Sequence, residues 1–367
     1  MKNLRFVGLD VHKDTVTMAV AEPGTSAPEV LAVVAHELGA IARQLRKVGK
    51  ASELRCCYEA GPTGTKLCRA LRAKGYDCII VAPSMVPQRP GDRVKTDRRD
   101  AIKLARFLRS GDLTDVYVLD AETEALRDLV RARDQAKRAE NVARLQVRSF
   151  LLRQGRVWSG PGAWHDRHIA WVRGQQFEHE AHNRVIVALV LNLENARERV
   201  KQLTEDLEQL AMASSQASLI KALQAMRGIQ LVTAAIIATE IGNFDRFPSA
   251  PAFGAFVGLV PSESSSGSTR RQGAITHAGN TFVRRALVEA AWAYRHRPAV
   301  TKRVRMRQEG VHSDVKRIAW KAQLRLTSRY RSMSGRGKNK QLVITAVARE
   351  LSGFVWAIAR QQQSIAV

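Results

Sequence analysis

Residues 4–21 read LRFVGLDVHKDTVTMAVA, and the fold of the first third of the chain turns on them. Residues 4–11 and Thr15–Ala21 are apolar runs rich in strand-forming side chains, and His12-Lys13-Asp14 separates them. That pattern predicts two antiparallel strands joined by a tight turn. Working outward, residues 29–34 suggest a third strand and residues 38–47 a helix. A strand at 54–58, a helix at 66–74, a strand at 78–82 and a helix at 99–109 follow. A doubly wound nucleotide-binding sheet has helices between all its strands, so the opening hairpin argues against one. No G-x-G-x-x-G or P-loop sequence supports nucleotide binding either.

Three antiparallel strands followed by alternating helix and strand is the order of the RNase H-like fold, an α/β class. Four acids stand out on it. Asp10 falls inside the first strand, on the face shared with Phe6 and Gly8. A carboxylate among Val7, Leu9 and Val11 is costly to bury unless it is paired or metal-bound. Glu59 ends the 54–58 strand and runs into Ala60-Gly61-Pro62-Thr63-Gly64, which can leave its carboxylate at the sheet edge. Asp97 and Asp100 are three apart at a helix start and share one face. Four acids so placed can hold two divalent cations, as phosphoryl transfer requires. Taken singly, Asp97 and Asp100 could simply offset a helix dipole and Glu59 could be an exposed strand end. Asp10 is the hardest to explain that way.

The chain has 367 residues, which fits two domains plus a connecting element. Hydrophobic residues make up 45% and charged residues 25%, so a folded chain is expected over most of its length. Lys and Arg number 59 against 34 Asp and Glu, a net charge of +25 that points to a nucleic-acid partner. The charge is blocked: residues 1–110 carry net +9, residues 111–215 net −1 and residues 261–340 net +15. Two nucleic-acid-facing regions joined by a structural spacer would be arranged so. Cys56, Cys57, Cys68 and Cys78 form no C-x-x-C pair, so neither a disulfide framework nor a zinc site is indicated, and a reducing compartment is expected. No uninterrupted run of 18 apolar residues and no signal-like N-terminus is present, so the expected location is the cytoplasm, without a membrane span.

The neutral block reads as long helix. Leu189, Leu193, Ala196, Val200, Leu203, Leu207 and Leu210 recur in a heptad seam flanked by charged residues. Residues 123–153 form an earlier helical stretch without Pro or Gly, and a segment carrying Trp158, Trp164 and Trp171 lies between the two. An antiparallel hairpin within one subunit and a dimerisation coiled coil both fit. Further on, Met226-Arg227-Gly228-Ile229 is a turn between helices of the kind that can aim backbone N–H groups at a phosphate. Residues 261–273, PSESSSGSTRRQG, are too polar for core and too basic for a mere linker; by composition they are a flexible loop. Arg270, Arg271, Arg284, Arg285, Lys302, Arg303, Arg305 and Arg307 surround or follow that loop and are candidate phosphate contacts.

GLDVHKD with Asp10, YEAGPTG with Glu59 and KTDRRDA with Asp97 and Asp100 resemble the DEDD, RuvC-like domain of a family of bacterial insertion-sequence transposases. GLVPSESSSGSTRRQGAITHAGNTFVRRAL resembles that family's C-terminal transposase domain, and LVITAVARELSGFVWAIA its closing helix. The resemblance runs the length of the chain, in order. It implies a DNA recombinase guided by a structured noncoding bridge RNA. It also implies Mg2+, two ions held by Asp10, Glu59, Asp97 and Asp100, and Ser266 as nucleophile, with Ser264 and Ser265 within a register step or two. The implied chemistry is attack on a DNA phosphodiester to give a phosphoserine link, in a composite site formed by a homo-oligomer, dimer or tetramer, through the coiled coil. Two departures are His277 where the family has Lys, and Gln230 in place of the second Gly of its G-I-G turn.

The expected organisation is therefore a RuvC-like domain at 1–110, a coiled-coil spacer at 111–215 and a mostly helical C-terminal domain at 216–367. Expected partners are donor and target DNA and a guide RNA, in a bacterial, nucleoid-associated setting. Two rivals remain: a junction-resolvase-like endonuclease using water, and a non-catalytic nucleic-acid-binding protein whose acids only stabilise the fold.

Overall fold

The computed structural model describes residues 4–87, 96–266 and 269–365, with residues 265, 266, 269, 270 and 363–365 described by backbone alone. It divides into two compact units, Met1–Leu119 and Asp120–Val367.

The first unit is built on a six-stranded sheet. Its strands are β1 (Arg5–Val11), β2 (Thr15–Ala21), β3 (Glu29–Ala35), β4 (Leu54–Glu59), β5 (Asp77–Val81) and β6 (Asp115–Val116), in the order β3-β2-β1-β4-β5-β6. β1, β2 and β3 pair antiparallel, whereas β4 joins β1, and β5 joins β4, in parallel. The opening hairpin and the alternation after it are thus present, and their order is consistent with a RuvC-like domain. The two-residue strand β6, antiparallel to β5, is an addition that its single pair Asp115-Val116 is too short to signal.

Both faces of the sheet are covered. On one lie α1 (Leu38–Val48) and α2 (Lys66–Ala73), whose Ile41, Leu45, Leu67 and Leu71 pack on Val7, Leu9, Tyr58 and Ile80. On the other lies α3 (Asp97–Ser110), and the residues beneath it are small: Gly8, Ala19 and Ala21 of the sheet face Ala101 and Ala105 of the helix. A Cβ on Gly8 would stand 2.2 Å from the Ala101 carbonyl oxygen, so glycine is what lets the helix backbone lie on the strand.

The second unit is mostly helical. A hairpin of long helices, α4 (Ala121–Arg153) and α6 (Glu180–Ala213), carries the short α5 (Asp166–Arg173) at its tip. The helices run antiparallel: Leu126 and Val130 share a cluster with Leu207 and Ala211 at the root, and Val147 and Phe150 one with Ile186 and Val190 at the tip. The intramolecular hairpin is therefore the arrangement present, with α4 as the partner of α6. The expected seam is unevenly used. Leu193 and Leu207 are buried, but Leu210 is 56% exposed.

Next come α7 (Ala217–Gln224), α8 (Leu231–Ile241) and α9 (Ala250–Phe256), then the two-stranded hairpin of β7 (Pro261–Ser266) and β8 (Thr269–Ile275). The serine-rich stretch is thus paired strand on both sides rather than loop, with Ser264 opposite Arg271 and Ser266 opposite Thr269. Four helices complete the unit: α10 (Thr281–Ala291), α11 (Lys302–Arg307), α12 (Ser313–Gly335) and α13 (Lys340–Ile365). By length and composition α13 could cross a membrane, with a mean hydropathy of 1.6, although Arg349, Glu350 and Arg360 interrupt its apolar sequence. Its Val347, Leu351, Val355 and Ile358 are buried in the core of this unit.

Candidate active site

In β1 and β4 the register sets Leu9 opposite Tyr58, so Asp10 and Glu59 follow side by side at the carboxyl ends of two parallel strands. Alternation along each strand decides which way they face. Gly8 lies under Ala101 and Ala105, and the Cys57 thiol is 3.7 Å from the Leu104 carbonyl, so the alternate residues Asp10 and Glu59 belong to the α3 side. α3 starts above the same ends. Thr96 caps it by accepting the Arg99 N–H, and Asp97 and Asp100 occupy its first turn. In open α/β sheets the carboxyl ends of parallel strands are where ligands gather.

Two of the four predicted acids meet there, and a residue not singled out in the sequence joins them. His12 Nε2 lies 3.2 Å from Asp10 Oδ2 and 3.5 Å from Asp97 Oδ1. One ligand atom from each of Asp10, His12 and Asp97 falls within 4.8 Å of the others. Burial raises the Asp10 carboxyl above its ordinary range, and the negative charges of Asp97 and Asp100 add to this while His12 opposes it. Asp100 therefore acts on the cluster through its charge. Glu59 stands on the neighbouring strand outside the 4.8 Å group.

The turn bearing His12 is fixed. The His12 N–H donates to the Thr15 carbonyl at 2.9 Å, and His36 Nδ1–H donates to the His12 carbonyl at 2.7 Å. Carboxylate oxygens and one imidazole nitrogen make a donor set that suits a divalent cation, and the nitrogen tilts it toward Mn2+ relative to Mg2+. The signal in the sequence was His12 standing two residues after Asp10, just beyond the end of the strand that carries it.

In the second unit, backbone alone is described at Ser265, Ser266 and Arg270, and Gly267 of the serine–glycine pair lies outside the described residues. The base of the β7–β8 hairpin is held by close backbone contacts. Gly258, His277 and Gly279 take left-handed φ values of 67°, 55° and 68°. A Cβ on Gly279 would fall 1.8 Å from the Phe256 carbonyl oxygen, and one on Gly258 2.2 Å from that of Ala278. Arg284 bridges the two crossing segments, donating to the Val257 and Ala278 carbonyls at 3.0 and 2.8 Å.

The remaining basic residues are placed variously. Arg284 is buried in the contacts just described, and Arg285 pairs with Asp134 of α4. Arg307 donates to the Ile229 carbonyl of the 226–229 turn, whose Gly228 backbone packs on the Ala290 carbonyl. Arg271, Lys302, Arg303 and Arg305 are exposed.

A cluster of donor atoms that could hold a divalent cation at the carboxyl ends of an α/β sheet, followed by a basic helical unit, fits an enzyme acting on nucleic acids. Comparison with known proteins makes this specific. The model of the DEDD-type IS110 transposase domain matches residues 7–154, and that described as "Transposase IS116/IS110/IS902 family" matches residues 220–305. The chain is 46% identical over 360 residues to a putative transposase, y4qE, of Sinorhizobium fredii, covering 97% of this chain and 88% of the relative. It is 29% identical to the transposase for insertion sequence element IS1533 of Leptospira borgpetersenii, over 92% of this chain and 99% of the relative. With the transposase for IS1111A of Coxiella burnetii the identity is 21%, over 99% and 92%. The chain belongs to the IS116/IS110/IS902 family of insertion-sequence transposases, a family whose activity is cutting and joining DNA strands.

Proposed function

We propose that this transposase breaks and rejoins DNA through a phosphoserine ester formed by Ser266, with a divalent metal held by Asp10, Glu59, Asp97 and Asp100 and assisted by His12. The observation that carries the reading is the convergence of Asp10, His12 and Asp97 donor atoms at the carboxyl end of β1. When bound, the metal would supply Lewis acidity at the phosphate; Mg2+ in two ions is the expected occupant. The Ser266 oxygen bonds to phosphorus, the P–O3′ bond breaks, the serine proton goes to solvent and the departing O3′ takes up a proton as a free hydroxyl. The ester conserves the bond, so a second strand's 3′ hydroxyl can reverse the step without ATP. An unassisted serine is a weak nucleophile, which is why acids and serine are read as acting on one phosphodiester.

The target is selected by pairing with a noncoding guide RNA, with Arg270, Arg271, Lys302, Arg303 and Arg305 on phosphates; the family resemblance and the +15 block support this. The reading includes a homo-oligomer formed along the α4–α6 hairpin, a cytoplasmic location, and division of labour among 1–110, 111–215 and 216–367. The test is cleavage of the element's own end sequences by purified protein, with and without transcript from the flanking noncoding DNA. Cleavage that needs the transcript and Asp10 is expected. Cleavage that persists in Ser266→Ala would instead identify a hydrolytic, resolvase-like nuclease.

A further inference from the structure

We propose that the cavity at the tip of the α4–α6 hairpin binds one unpaired nucleobase of a single-stranded nucleic acid, stacking it on indole and setting its phosphate against arginine. The proposal rests on the nucleic-acid reading above. It concerns a place that neither the acids nor the serine account for. The cavity measures about 410 Å³ and is lined by Trp158, Trp164, Trp171, His168, Arg148 and Arg156 among others.

Its walls are rigidly made. The Trp158 indole lies against Gly160, where a Cβ would come within 2.2 Å of the ring, and its Nε1–H donates to the Gly162 carbonyl at 2.8 Å. His168 is the hub, 5% exposed, with its Nδ1 accepting the Trp164 N–H at 2.9 Å. Its ring is stacked on Trp171 at 5.8 Å between centroids and 18° between planes, and lies edge-on to Trp164 at 4.9 Å. Burial keeps its pKa below the ordinary histidine value, so the wall is an uncharged aromatic surface near neutral pH. The three indoles remain partly exposed.

Charge identifies the occupant. Across residues 141–175 there are six arginines and one acid, Asp166, although the surrounding block is neutral as a whole. Arg144 is held by Glu140 and Arg173 by Glu194. Among the described residues Arg148 and Arg156 pair with no carboxylate, and both are exposed. An aromatic hollow with a basic edge suits a base with its phosphate; a duplex offers no free base face to stack. Aromatic stacking of this kind is sequence-tolerant and changes affinity by roughly tenfold per base.

The experiment uses the full-length protein and follows tryptophan fluorescence on titration with a short oligothymidylate, an oligouridylate and a duplex of equal length. Quenching by single strands but not by duplex is expected, and the stronger of the two single strands tells whether DNA or RNA is the natural source. Trp171→Ala should weaken single-strand binding about tenfold and leave duplex binding unchanged. Arg148→Ala, which leaves the aromatic packing in place, should flatten the salt dependence of single-strand binding by a slope of about 0.7. Crosslinking of an iodouridine-bearing oligonucleotide should mark the 157–173 segment. Equal losses for single strand and duplex, absence of quenching, or crosslinks only elsewhere would overturn the proposal. Dependence of DNA cleavage on Asp10 and Ser266 is measured separately, so either reading can fail without the other.

Discussion

Gly8 and His12 do more for the site than their small share of the sequence suggests. Gly8 lets α3 rest on β1, and α3 carries Asp97 and Asp100 to Asp10. Gly8→Ala would put a methyl group 2.2 Å from the Ala101 carbonyl and 2.5 Å from the Ala105 nitrogen, both backbone atoms that yield only if the helix moves. Overpacking of this kind costs about 1–3 kcal/mol. The variant should melt earlier and bind Mn2+ more weakly, as calorimetry would record; unchanged metal binding would show that α3 does not set the acid spacing. His12 contributes the nitrogen of the donor set. His12→Ala should weaken Mn2+ binding several-fold, about a 1 kcal/mol effect, and Mg2+ binding less, because imidazole favours the softer ion. Equal losses for the two metals in a titration would count against His12 as a ligand.

The α4–α6 hairpin is tied to the helices that follow by a buried acid. Glu240 of α8, with its side chain 1% exposed, accepts from Nε and Nη2 of Arg131 at 2.7 and 3.0 Å and from the Asn280 amide at 2.7 Å. Removing Arg131 alone strands a buried carboxylate. Arg131→Met should therefore cost about 3 kcal/mol, and the double change with Glu240→Met distinctly less. Additive losses in a denaturant double-mutant cycle would refute that coupling. At the hairpin tip, burial lowers the pKa of His168, so the unfolded chain binds the proton more readily than the folded one. Stability from this group is intact above the ordinary value of 6.5 and falls as pH drops below it. Once the slowing of intrinsic exchange in acid is corrected for, the protection of α5 against hydrogen exchange should fall between neutral and mildly acidic pH, and His168→Gln should remove that dependence. These elements also show where sequence patterns stop informing. The heptad from Leu189 to Leu210 marks α6 as having a seam, but a seam does not name its partner. Pro261–Ser266 looked like loop by composition because no apolar face marked its pairing with Thr269–Ile275.

Across the whole chain the early residues were the most legible. Eight of the first unit's elements lie within two residues of where apolar runs and helix periodicity put them, because a sheet covered on both faces needs continuous apolar strands. Asp10 was conspicuous for the same reason, a lone acid in such a strand. His12 was hidden in a turn, and Arg284 looked like a phosphate contact, since sequence shows its charge but not the carbonyls it satisfies. Summing charge over long blocks also concealed the basic hairpin tip, whose arginines are offset by acids nearer the root. The central claim, serine attack supported by the acid cluster, is tested most directly by trapping the linkage. The protein would be expressed with its flanking DNA, lysed in SDS and examined for DNA bound to protein, beside Ser266→Ala and Asp10→Ala. The account predicts an SDS-stable adduct in the wild type that both substitutions abolish; cleaved DNA without an adduct, or an adduct that survives Ser266→Ala, would contradict it.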